Sequence, residues 1–206
     1  MYYDLKTVIR KFCIFLLSCF YTACCLLTIL YITSIDIKRF GRIPESSLTE
    51  GVQESLLLLS VLIFTYKLFQ DKAHGLWLIS GFLFCMLIRE WDGIFDNIFH
   101  GAWKFIAIPA ALLCIWLALR NGITRAAKEL ADFMNTKSYW LLCLGLIIVL
   151  VFSRIIGMRS VVQLLSGTHF HESIKNLLEE GHELLGYMII FTSAVYYLLE
   201  KRKSQK

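Results

Sequence analysis

Proline is scarce in this chain, 2 in 206 residues, and so is charge: Asp, Glu, Lys and Arg together make up 18%. Soluble domains carry about 25% charged residues, and disordered chains are rich in proline and charge. Both classes are excluded, because hydrophobic residues reach 57%. The sequence has no glycine-rich phosphate loop and no Gly-x-Ser-x-Gly elbow, which leaves out a nucleotide-phosphate cradle and a serine-hydrolase nucleophile. A disulfide framework is missing too. Seven cysteines cannot all pair within one chain, and Cys13, Cys19, Cys24, Cys25, Cys85, Cys114 and Cys143 all fall inside apolar runs. There they read as small packing residues.

What the chain does have is apolar runs, and these predict an all-α polytopic membrane bundle in a single domain over 1–206. Residues 12–32 carry no charge and are long enough for a ~30 Å hydrocarbon core at ~1.5 Å per residue. That run is too long for the core of a signal peptide and lacks a small-residue cleavage site, so it reads as a retained first helix. Five further runs, near 55–69, 75–88, 105–119, 138–153 and 184–199, bring the expected number of spans to six.

Orientation follows from the distribution of basic residues. With the N-terminus inside, the inner segments hold 13 of the 21 Lys and Arg and 5 of the 16 Asp and Glu; the outer ones hold 8 and 11. Both termini are therefore expected in the cytoplasm, in a plasma membrane such as a bacterial inner membrane. The net charge of +5 is accounted for by this topology and the C-terminal basic cluster facing anionic lipid, with no nucleic acid partner.

Five of the six runs are shorter than a bilayer requires, and each reaches full length only by extending outward into charged sequence. The second then takes in Glu54; the third Arg89, Glu90 and Asp92; the fourth Lys104, approaching His100; the fifth Arg154; the sixth Glu180, His182 and Glu183. An ionisable group at that depth costs at least a few kcal/mol unless it is paired or faces a wet cavity. The expected arrangement is a shared polar pocket at the outer leaflet, with Glu54, Arg89, Lys104 and Arg154 contributing ion pairs. The competing arrangement leaves these residues as ordinary helix ends at the headgroups.

Two flanking segments add detail. Between the third and fourth spans, Ile94, Phe95, Ile98 and Phe99 share a helical face, predicting a short interfacial amphipathic helix. Trp91 and Trp103 are its expected headgroup anchors. Before the sixth span, Thr168 is a candidate N-cap, and Glu172, Asn176, Glu179 and Glu183 form one polar stripe. Gly186 continues the polar face without a side chain, leaving room for another backbone.

Glu179 and His182 stand three apart, a ligand spacing of di-iron carboxylate bundles, although the motif occurs once. With Asp92 and His100 they form a candidate donor set for a divalent metal such as Zn, Mn or Fe. A hydrogen-bonded network without metal is the competing reading. Glu183 and Glu90 are the candidate catalytic carboxylates.

Acids and histidines in a helical membrane pocket resemble, in theme, the alkaline-ceramidase-type membrane hydrolases. The His-x-x-x-His pair associated with that group is absent, so no residue role is carried over. Three functions fit: a metal-dependent enzyme acting on a lipid or lipid-linked substrate, a non-catalytic partner of other membrane proteins, and a small transporter component. The apolar middles of the spans weigh against the last.

Overall fold

The computed structural model describes residues 2–41, 43–44, 47–96, 99–166 and 172–200. Every regular element among them is helical: α1 (Tyr2–Phe40), α2 (Leu48–Asp71), α3 (Trp77–Glu90), α4 (Asp92–Asp96), α5 (Trp103–Leu119), α6 (Ile123–Met134), α7 (Lys137–Ile147), α8 (Ser153–Ile156), α9 (Arg159–Ser166) and α10 (Glu172–Leu199). In lipid, each backbone N–H and C=O must find a partner within the chain, and long apolar runs meet that demand as helices.

Among the described residues, four helices are long and apolar enough to cross a membrane: Leu5–Phe40, Leu48–Asp71, Lys137–Ile156 and Ser173–Leu199. A fifth candidate is the pair formed by α5 and α6, which meet at 99°. The third and fourth apolar runs give shorter helices, 14 residues in α3 and 17 in α5. A 3₁₀ turn at His74–Leu76 precedes α3, and Gly122, with φ 101°, ends the path of α5 by admitting a turn that other residues resist.

Four of the five extensions read from the sequence are helical, whereas the third stops at Glu90 and Asp92 begins a separate helix. Lys104 lies in α5, Arg154 in the helix that continues α7, and Glu180, His182 and Glu183 in α10. The interfacial helix between the third and fourth runs differs from expectation. It begins at Asp92 and ends at Asp96, and neither Phe99 nor His100 is helical. The reason is a local turn: Asp96 accepts from the Gly101 N–H at 2.9 Å and pairs with His100 Nδ1 at 2.9 Å, at a glycine with φ 82°. The expected Thr168 cap and residues 97–98 lie outside the described residues.

The bundle is built around α10, which packs against α7, α2 and α1; α2 in turn holds α3, and α3 holds α5. The core is apolar: Leu57, Phe64, Leu83, Leu87, Leu184 and Ile190 are fully buried. The start of α2 is closed from two directions. Ser47 Oγ accepts from Glu50 N at 3.2 Å, and the buried Asp36 of α1 accepts from Thr49 N at 2.8 Å and Thr49 Oγ at 2.6 Å. A carboxylate there also complements the positive end of the helix. The other end of α2 stops at Lys72, whose φ of 51° is left-handed. Lys72→Gly is expected to stabilise the fold by about 0.5–1 kcal/mol by relieving that conformation, measured as a raised unfolding midpoint in detergent.

Between α7 and α8 the helix passes through one π turn, Ile148–Phe152, where Ser153 N–H reaches back to Ile148 O. Beside it the α7 and α10 backbones come close. A Cβ on Gly145 would stand 2.9 Å from Gly186 O, and one on Gly186 would strike Val149 Cγ2 and stand 3.0 Å from Gly145 O. The partner backbone anticipated for Gly186 is therefore that of α7. Small residues that let membrane helices approach are a general packing device. Two turns further along, Ser138 and Ser193 exchange hydrogen bonds with each other's carbonyl oxygens, both at 2.8 Å.

Candidate functional site

A polar network fills one end of the bundle, and four helices bring it to a common depth. Counted from the opposite ends of their helices, Gln53 lies 18 residues from Asp71, Glu90 lies 13 from Trp77, Arg154 lies 17 from Lys137 and Glu183 lies 16 from Leu199. At ~1.5 Å per residue these are depths of ~20–27 Å. The short apolar runs and this shared depth have the same origin: each helix runs out of apolar residues where the network begins.

Glu183 is the centre of the network and only 4% exposed. Arg154 Nη2 lies 2.8 Å from its Oε1, and Ser153 Oγ lies 3.4 Å from the same atom. The other Arg154 nitrogen, Nη1, meets Glu179 Oε1 at 3.1 Å, while Lys175 Nζ meets Glu179 Oε2 at 2.9 Å. One guanidinium thus ties two carboxylates a turn apart on α10, a use its forked, planar donors suit. Gly157 makes room for this: a Cβ there would stand 2.7 Å from Glu179 Cδ.

The network continues toward α2 and α3. Gln53 Nε2 donates to Glu180 Oε2 at 3.2 Å and to Glu180 O at 3.1 Å. The fully buried Tyr187 donates from its hydroxyl to Glu90 Oε1 at 2.8 Å. Arg89 Nη1 lies 3.5 Å from the same oxygen. Glu54 is held by the Trp91 indole and feels the charge of Glu90, which in turn acts on Glu183. Five carboxylates, Glu54, Glu90, Glu179, Glu180 and Glu183, share the cluster with three cations, Arg89, Arg154 and Lys175.

Of the residues singled out in the sequence, Glu54, Arg89, Glu90, Arg154, Glu179 and Glu183 are brought together. Asp92, Lys104 and His100 are not. Asp92 starts the exposed α4, Lys104 lies 5.7 Å from the Trp103 ring, and the His100 side chain is 98% exposed beside Asp96. The Asp96 carboxyl is held below its ordinary pKa, first by the Gly101 N–H and then by His100. Trp91 is half-buried against the core, with its indole turned to Glu54.

The metal donor set is the main correction. Among the described residues, no group of three or more His, Cys, Asp or Glu is gathered so as to hold an ion. Asp92 and His100 belong to the exposed turn. Glu179 is taken by Arg154 and Lys175, and His182 Nδ1 is turned to Leu178 O, with its ring 5.3 Å from Phe152. Glu179 and His182 have the spacing of a ligand pair without a second pair to face.

Sequence reasoning missed Gln53, Tyr187, Ser153 and Lys175 as members of the network. Two of these left a signal. Tyr187 stands one turn after Glu183, and Gln53 heads the stripe Gln53, Leu57, Ser60, Phe64, Lys67 that α2 buries.

No family model matches this chain, no curated protein matches it, and no solved structure matches its fold.

Proposed function

We propose that this chain is a six-helix integral membrane protein with both termini in the cytoplasm, and that it works through an acid–base site at the outer leaflet of the plasma membrane. In this reading α3 and α5 serve as spans of about 21 and 25 Å, shorter than the ~30 Å hydrocarbon core, and the bilayer thins around them. Glu183 and Glu90 are the proton-handling carboxylates, Arg154 and Tyr187 hold them, and the substrate is a lipid or lipid-linked molecule that arrives from the bilayer. One observation carries the proposal: Glu183 is 4% exposed, with Arg154 at 2.8 Å, where the charged start of α10 meets its apolar remainder. A buried ionisable group in a membrane helix is expensive, and such groups mark functional sites by default. No metal enters this reading.

The test is the lipid composition of membranes from cells that express the chain. Expression of the natural chain is expected to shift one lipid or lipid-linked species, and Glu183→Gln is expected to abolish the shift while the protein remains membrane-inserted at normal yield. A shift that persists in both Glu183→Gln and Glu90→Gln would remove the carboxylates from the chemistry.

A second reading, a non-catalytic partner of other membrane proteins, is favoured by the first half of α1. Phe12, Phe15, Leu17 and Phe20 there are all more than half exposed, while from mid-helix onward α1 meets the bundle, through Tyr21 at Thr192 Oγ1 and through Ile29 and Ile32. A lipid profile identical to that of cells lacking the chain would favour this reading.

A further inference from the structure

The segment 120–137 contains α6, lying at 99° to α5. Its residues divide around the helix into three strips. Ala126 and Phe133 are buried, with Glu129 and Leu130 half-buried, and these four face the 3₁₀ turn at His74–Leu76 and α7. Phe133 pins the helix by wedging between Phe64 at 5.8 Å and Tyr197 at 5.1 Å. Ile123, Ala127, Ala131 and Met134 form a second apolar strip, which is exposed. At 100° per residue this strip covers an arc of about 80°, beside the buried one. Arg125, Lys128 and Asp132 form the third strip, exposed and centred about 130° from the second.

A helix that only capped the bundle would need one apolar strip. This one has two, at different angles, with charge on the remaining side. It lies across the end of spans that cross a membrane, so the arrangement has a ready explanation: one apolar strip for the protein, one for acyl chains, and the charged strip at the headgroups. Exposed Arg120 and Lys137 flank it, while Glu129 is turned inward, accepting from Gly75 N at 2.7 Å and pairing with Arg125 at 2.9 Å.

We propose that α6 is an in-plane anchor that binds acidic phospholipid, with Ile123 and Met134 in the acyl region and Arg125 and Lys128 at the phosphates. Basic side chains near an anionic leaflet add to the binding of an amphipathic helix. The proposal is independent of whether the network at the opposite end is catalytic.

The test uses the full chain in nanodiscs of phosphatidylcholine with and without phosphatidylglycerol. Native mass spectrometry of the natural chain is expected to show retained phosphatidylglycerol in preference to phosphatidylcholine. Arg125→Gln/Lys128→Gln is expected to weaken that retention on the order of tenfold. Lys128 is exposed, and Glu129 keeps the Gly75 N–H when Arg125 is replaced, so the variant should fold, and an unchanged elution profile checks this. In a cysteine-free background, Ala127→Cys should react with an impermeant maleimide far more slowly than Asp132→Cys, because only the latter faces water. Equal retention of both lipids, retention unchanged in the double variant, or equal labelling at the two positions would overturn the proposal. So would a second protein chain found covering the Ile123–Met134 strip.

Discussion

Arg154→Met is expected to lower the unfolding midpoint by several degrees, and the double variant Arg154→Met/Glu183→Met is expected to recover most of that loss. The Glu183 side chain is 5% exposed and has the guanidinium at 2.8 Å. Removing one partner of a buried pair costs about 3–5 kcal/mol, because the other charge is left stranded, whereas replacing both by apolar groups is often neutral. Arg154 is 40% exposed, so water screens part of the interaction, and the single variant should cost about 2 kcal/mol. The readout is thermal unfolding of the purified protein in detergent, as a double-variant cycle. Purely additive losses would mean that the two groups do not support each other.

A larger effect is expected from Gly186→Leu: loss of the folded, monodisperse species. The added side chain would enter the space occupied by Val149 and by the Gly145 carbonyl 3.0 Å away. Neither can yield cheaply, since Val149 is fully buried and belongs to the core that α7 and α10 share. Gly51→Ala is the matched control. Nothing lies within 4 Å of a Cβ at that position, so this helix-interior change should be worth about 0.5–1 kcal/mol in the opposite direction. The size-exclusion profile reads the first result, and the thermal unfolding midpoint in detergent reads the second.

The residues most legible in the sequence were those whose presence in a span is costly. Glu183 and Arg154 stood out because an apolar run of membrane length could not be completed without them, and Glu90 because the third run ended on it. Gly186 was legible for the same kind of reason, a gap on a polar face, but not its neighbour Gly145, which sits in a run with no polar face to mark it. The metal set was misread because Glu-x-x-His fixes two donors on one helix and says nothing about what faces them. Arg154 and Lys175 had already claimed Glu179. α6 was overlooked because its charged residues, Arg125, Lys128, Glu129 and Asp132, dominated the segment and hid apolar residues that recur at helical spacing. Asp36 left no trace: its role, holding the start of α2 from α1, depends on how the chain turns between them.

The π turn at Ile148–Phe152 bears on how related chains should be compared. A π turn holds one residue more than the α-helical path it replaces, so it takes up an extra residue while the helix beyond it keeps its facing. Removing one residue from 148–152 would convert the turn to α-helix and leave Arg154 directed at Glu183. Removing one from α7 has no such buffer and would rotate everything after it by about 100°, turning Arg154 away with no change in its chemistry. A one-residue gap aligned to 148–152 is therefore compatible with the network, whereas one aligned to α7 is not.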